Sequence, residues 1–139
     1  MQKYSKYHVN TTSKGKKQRQ EKDYLTGELI TFDSLLEKRF YDECVVPEMK
    51  SGNLKEYKLQ KSYILQKGFK QNGRTYRPIT YIADFWLLDK DGNERIIDVK
   101  GGMVDPTAKI KEKIMNYIYR DLDYVWMTWT KATGWIDYQ

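Results

Sequence analysis

The chain has 139 residues, 25 lysines and arginines against 19 aspartates and glutamates, and a net charge of +6. A pI of about 9.2 and a mean hydropathy of −0.82 fit one polar domain with a polyanionic partner. They speak against a membrane protein, since no apolar run approaches the roughly 20 residues of a span, and the lone cysteine, Cys44, excludes an internal disulfide or a cysteine metal cluster.

Residues 1–22 read as a basic arm, with Lys3, Lys6, Lys14, Lys16, Lys17, Arg19 and Lys22 against Glu21 alone. Such a composition is that of a solvated, disordered tail, or of an arm that follows a DNA backbone or embraces a second subunit. His8, the only histidine, sits in this polar tail and is excluded from any site. No secretory signal opens the chain, so a reducing cytoplasm is the expected compartment.

The domain is expected over 23–139. Residues 24–32 read as a small hairpin turning near Thr26-Gly27. Ser34-Leu35-Leu36-Glu37 has the capping-box pattern of a helix start. Leu36, Phe40 and Cys44 then form an apolar stripe, and Pro47 limits the helix. Glu37 lies beside that stripe, where it can face a sheet edge. Residues 54–69 are strand-rich, Asn72-Gly73 signals a hairpin, and 74–88 continue as a long strand with an edge or bulge at Pro78. Lys61, Lys67, Lys70, Arg74 and Arg77 decorate this region and form a candidate phosphate-tracking face.

The stretch 80–102 carries the unusual chemistry. Two apolar runs flank an Asp-Gly turn, yet Asp84 sits inside the first, and Asp98 and Lys100 close the second on either side of Val99. A carboxylate in a core strand costs several kcal/mol unless it is paired or holds a metal. Asp98 and Lys100 share a face, because strand side chains alternate. A two-residue Asp91-Gly92 loop would pair Asp84 with Val99. A three-residue Lys90-Asp91-Gly92 loop with a left-handed Gly92 pairs Asp84 with Asp98. The second register is expected, since the first strands a carboxylate in the core. Two carboxylates and a lysine suit Mg²⁺, which prefers oxygen ligands, and a water it activates; the lysine can orient that water or stabilise developing charge.

Gly101-Gly102 allows a sharp bend or a close backbone approach. Residues 107–122 predict a helix with Ile110, Ile114, Tyr117, Ile118 and Leu122 on one face, and Lys109, Lys113, Asn116 and Arg120 on another. Lys109 and Lys113 follow the charged strand directly and are candidate phosphate contacts. Residues 124–129 form a final core strand, and 135–138 an edge. The order helix, three strands, helix, strand predicts an α/β/α sandwich on a mixed sheet.

Phe32-Asp33-Ser34, Glu37, Arg77-Pro78-Ile79-Thr80-Tyr81-Ile82-Ala83-Asp84-Phe85 and Asp98-Val99-Lys100-Gly101 together resemble the PD-(D/E)XK nuclease superfamily. They look most like its small phage endonucleases related to Holliday-junction resolvases, over about residues 24–125. Ala83 stands where the superfamily's name has Pro. The resemblance implies a restriction-endonuclease-like core and a Mg²⁺-dependent DNA endonuclease, with Mn²⁺ as a substitute. It implies Glu37, Asp84, Asp98 and the Val99 carbonyl as metal ligands, Lys100 as the residue positioning the attacking water, and products with a 5′-phosphate and a 3′-hydroxyl. Branched DNA is the implied substrate, a homodimer the implied assembly, and the host cytoplasm the compartment if the gene is a phage's. The rival expectations are a non-catalytic DNA-binding or assembly protein on the same fold, and a restriction-type duplex nuclease.

Overall fold

The Asp-Gly hairpin takes the three-residue register. Its strands are β6 (Ile79–Asp89) and β7 (Glu94–Val99). The Asp89 N–H donates to the Asn93 carbonyl at 2.9 Å and the Gly92 N–H to the Asp89 carbonyl at 3.1 Å. Gly92 has φ +86°, a conformation that favours glycine. The Asp89 carboxylate locks the turn by accepting the Asp91 and Asn93 N–H groups, each at 2.9 Å. The ladder then runs from Leu88↔Glu94 to Phe85↔Ile97. The ladder ends there, and the next residue of β6, Asp84, meets β7 through its side chain, Oδ2 accepting the Val99 N–H at 2.8 Å.

The computed structural model describes residues 12–138; His8, Lys3 and Lys6 lie outside them. A helix α1 (Ser13–Gln18) leads into β1 (Gln20–Lys22), which pairs with β2 (Leu29–Thr31). The hairpin expected at 24–32 thus begins earlier, and the last residues assigned to the arm belong to the fold. Arg19 is buried, its Nη1 donating to the Phe32 carbonyl at 2.5 Å. Three polar residues in a row give β1 no alternation to read.

The central sheet has five strands in the order β3 (Leu54–Gln66), β6, β7, β8 (Asp123–Thr130), β9 (Gly134–Asp137). Only β7 and β8 are parallel, and helix α4 (Pro106–Ile118) makes the crossover between them. Adjacent Ile96 and Ile97 point into different cores. Ile97 joins Phe40, Tyr41, Val45 and Phe85 beneath the first helical layer. Ile96 joins Tyr81, Trp86 and Met115 beneath α4. The result is a mixed α/β fold layered α/β/α, in the expected order.

The first helical layer departs from expectation at Pro47. Helix α2 (Leu35–Phe40) starts at Ser34, whose Oγ accepts the Glu37 N–H at 3.1 Å. A π turn follows at Tyr41–Val45, and α3 (Val46–Ser51) continues past Pro47 to a left-handed Gly52. The π turn changes the ladder there, with the Val46 N–H reaching back to the Tyr41 carbonyl. Proline falls at the start of the new helical segment, where its missing N–H costs little.

The apolar face of α4 also differs. Ile110 is 60 % and Tyr117 71 % exposed, whereas Met115 is fully buried. The helix carries apolar residues on two faces, and the sheet takes the one centred on Met115, with Ile114 beside it.

The long strand expected over 74–88 breaks at Arg77-Pro78. Before the break, β4 (Phe69–Gln71) and β5 (Arg74–Tyr76) form a separate ribbon. On β3, Gln60 has φ +55°. Leu59 packs with the Phe85 core and Tyr63 and Leu65 with the Trp86 core, so the strand exchanges faces at Gln60, opposite Asp84.

The β1–β2 hairpin is tied to β3 by the Tyr57 hydroxyl, which donates to Asp23 Oδ1. Burial alone would raise the Asp23 pKa. The hydrogen bonds from Tyr57, Leu25 and Thr26 outweigh it and hold the carboxyl below its ordinary value of 3.8. A depressed native pKa adds stability above the unfolded value, and that stability is lost as pH falls through the native one. Thermal unfolding on both sides of pH 3.8 is therefore expected to show a smaller acid loss for Asp23→Asn than for the wild type. Equal losses would show that Asp23 carries none of it.

Candidate functional site

Three of the four expected residues meet at one corner of the sheet. The Lys100 N–H donates to the Met127 carbonyl at 2.8 Å, extending the β7–β8 ladder by one residue. Lys100 therefore keeps the face of Asp98, and its Nζ lies 2.5 Å from Asp98 Oδ2. Asp84 Oδ2 accepts the Val99 N–H at 2.8 Å. It does so where the β6–β7 backbone ladder ends, so this carboxylate takes the place of a main-chain acceptor between the diverging strands.

Glu37, Asp84, Asp98 and Lys100 are 1, 4, 3 and 5 % exposed. Charges buried this deeply are retained only where they are paired or hydrogen-bonded. Ser34 Oγ donates to Glu37 Oε2 at 2.9 Å. The capping serine thus serves the carboxylate through its hydroxyl as well as capping the Glu37 N–H.

Glu37 enters from the opposite layer. Helix α2 covers the Ile97 and Val99 side of β7, whereas Asp98 and Lys100 follow Ile96 toward the α4 side. Among the described residues, no group of three or more His, Cys, Asp and Glu side chains is close enough to hold a metal ion. Asp98 is engaged by the Lys100 ammonium and Asp84 by the Val99 amide. In kind, the donor set fits a hard divalent cation, since all three side chains offer carboxylate oxygens; a shared ligand position would require Asp98 to exchange Lys100.

A chain of three aromatic residues leads away from Lys100, and the sequence reading gave none of them a site role. Parallel pairing sets Trp126 beside Asp98, and Lys100 Nζ lies 4.4 Å from the Trp126 ring centroid. Trp126 Nε1 donates to the Tyr124 hydroxyl at 2.8 Å, and the Tyr124 and Tyr81 rings stack at 5.4 Å. Burial, then the charge of Asp98, push the Tyr81 hydroxyl far above its ordinary pKa, and Asp84 adds to the shift. Burial likewise raises Tyr124. Burial therefore favours the protonated form of both phenols.

The expected nucleic-acid contacts are all exposed: Lys16 and Lys17 in α1, Arg74 in β5, Arg77 just beyond it, and Lys109 and Lys113 on α4. Lys109, Asn116, Tyr124, Trp126 and Tyr138 line a groove of about 560 Å³. Glu112 and Asp137 line it too, so its charge is mixed, and Trp126 links this groove to Lys100. Among the described residues, no helix is long and apolar enough to cross a membrane.

Residues 15–134 match the family described as "Protein of unknown function (DUF1064)". No curated protein and no solved structure matches the chain.

Proposed function

This chain belongs to the DUF1064 family, and we propose that it is a Mg²⁺-dependent endonuclease for branched DNA, with Mn²⁺ as a substitute. One observation carries the reading: Asp84 accepts the Val99 N–H and Lys100 bonds Asp98, all in one buried corner of the sheet. The resemblance to PD-(D/E)XK resolvases supplies the reaction class. Glu37, Asp84, Asp98 and the Val99 carbonyl would hold the ion. When bound, it would lower the pKa of a water and offset charge on the phosphate oxygens.

The protein's own groups would do the rest. The Val99 amide fixes the Asp84 carboxylate. Lys100, released from Asp98 and steadied by the Trp126 ring, orients the nucleophile or donates to the developing charge. Lys109 and the other exposed cations hold the backbone.

A four-way junction needs two opposed cuts, and a chain of this size offers one such corner. Two cuts in one encounter therefore call for a homodimer, and two-fold symmetry matches the junction. The basic N-terminal region is the favoured interface.

The test is a panel of duplex, flap and four-way junction with Mg²⁺, together with sedimentation at micromolar protein. A dimer that resolves junctions, leaving 5′-phosphates, is expected. A monomer nicking one strand per encounter leaves a structure-selective nuclease, and discrete fragments from linear duplex point to a restriction-type enzyme. The second reading is a non-catalytic DNA-binding protein on the same fold. Binding of DNA without cleavage of any substrate in Mg²⁺ or Mn²⁺ would support that one.

A further inference from the structure

We propose that the β4–β5 ribbon is a DNA-groove reader that fixes where the substrate lies relative to the Asp84–Asp98–Lys100 corner. The inference rests on the reading that the partner is DNA. Its observations are the ribbon's construction, its charge and its position.

Every residue from 66 to 79 is exposed, so the ribbon adds nothing to the buried core of the described residues. A two-stranded ribbon alone is marginal, yet this one is locally well built. Asn72 and Gly73 have φ of +51° and +76°, the pair of left-handed residues that a type I′ turn requires. The Phe69 and Tyr76 rings stack at 4.6 Å with an 8° interplanar angle. Gly68 fits tightly at the base, where a Cβ would meet the Tyr76 carbonyl at 3.1 Å and Pro78 Cδ at 3.2 Å. An element stabilised this carefully, with no core to serve, is suited to an outside partner.

The charge selects the partner. From 57 to 83 there is no acidic residue, against Lys58, Lys61, Lys67, Lys70, Arg74 and Arg77. Lys58 and Lys61 each lie 4.9 Å from the Trp86 ring on the sheet; the other four belong to the ribbon. Its tip reads Gln71-Asn72-Gly73-Arg74. Glutamine, asparagine and arginine are the side chains that hydrogen-bond base edges in pairs, and the major groove admits a two-stranded ribbon. The ribbon's aromatic rings are stacked on one another, which makes it a poor apolar dock for a protein.

The position suits the proposed chemistry. β6 and β7 are antiparallel, so the ribbon end of β6 and the Asp98–Lys100 end of β7 lie at the same end of the sheet. At about 3.3 Å per residue, Ile79 is roughly 16 Å along β6 from Asp84, or about five base pairs of duplex. Lys67, Lys70 and Arg77 would contact phosphates, while Gln71 and Arg74 reach base edges.

The test uses the full chain in EDTA, so that binding is read without cleavage, by fluorescence anisotropy on duplex and four-way junction across a salt series. Lys67→Ala/Lys70→Ala/Arg77→Ala is expected to flatten the log–log salt slope by about 2.7, roughly 0.9 per phosphate. Gln71→Ala/Arg74→Ala is expected to keep most affinity but lose about tenfold of any preference among duplex sequences. All five side chains are exposed, and circular dichroism confirms the fold of each variant. Wild-type slope and affinity in both variants overturn the proposal, as does a wild type that binds no DNA. A shift from dimer to monomer with DNA binding intact overturns it too and assigns the ribbon to a second copy. Ribbon-dependent binding by a protein that never cleaves supports the ribbon and removes the nuclease reading. Normal cleavage by both variants with unchanged binding does the reverse.

Discussion

Asp98→Asn is expected to lower single-turnover cleavage of its best substrate by about 1000-fold, with DNA binding retained. The substitution keeps the shape of the side chain and removes its charge. A neutral amide is a poor ligand for a hard divalent cation, and losing one fixed electrostatic contact to a transition state commonly costs 100- to 1000-fold. Binding should survive, because the exposed cations that hold the backbone lie elsewhere on the surface. Asp84→Asn tests the same site under a different constraint, since its amide oxygen can still accept the Val99 N–H at the point where the strands diverge. Asp98→Asn leaves Lys100 buried without its carboxylate, so its melting temperature is measured first and cleavage is assayed well below it. Glu37→Gln probes the same chemistry from the helical layer, and its amide oxygen can still accept from the Ser34 hydroxyl. Normal cleavage by Asp98→Asn would remove the site. Normal cleavage by Glu37→Gln alone would take Glu37 out of it, in keeping with its entry from the opposite layer.

What the sequence made legible was local chemistry. Asp91-Gly92 dictated a tight turn, and the cost of stranding Asp84 chose between registers one residue apart; the Gly92 bulge and the ladder to Phe85↔Ile97 follow. Ser34 as a cap and Asn72-Gly73 as a turn were readable for the same reason, that a short side chain or a left-handed backbone has few alternatives. The layering was readable because helices and strands alternate in a fixed order.

What was not legible depended on partners distant in sequence. Trp126 neighbours Asp98 only because β8 runs parallel to β7 after the α4 crossover. Pro47 looked like a helix end until the π turn before it altered the ladder. Ile110 and Tyr117 form a stripe as regular as the one the sheet buries, and only packing decides between such stripes. The face exchange at Gln60 has no residue-level signal, since glutamine rarely adopts positive φ. That exchange lies opposite Asp84, so part of the candidate site's geometry was invisible from its own motif.

Lys100→Met is expected to lose cleavage about 100- to 1000-fold and also to destabilise the protein. The Asp98–Lys100 pair is buried, with side chains 4 and 6 % exposed. Removing one partner from a buried pair leaves an uncompensated charge and typically costs about 3–5 kcal/mol. For a domain of this size that is a fall in Tm of roughly 10–20 °C. Methionine keeps much of the stem volume over the Trp126 ring, so the loss reports the charge rather than a cavity. The sign of a divalent-ion effect then separates a metal centre from a structural ion pair. In the variant, Asp98 has lost the Lys100 ammonium, which makes a divalent cation a better partner for it. Mg²⁺ or Mn²⁺ should therefore raise the variant's Tm by more than the wild type's, recovering about 2.7 kcal/mol when the ion reaches 100 times its dissociation constant. In Lys100→Met/Asp98→Asn the buried charge is gone, so most of the stability should return and the ion response should disappear. A Lys100→Met variant that melts low and ignores both ions would mark the pair as structural. The corner would then be a stabilised strand end, and the non-catalytic DNA-binding reading would take precedence.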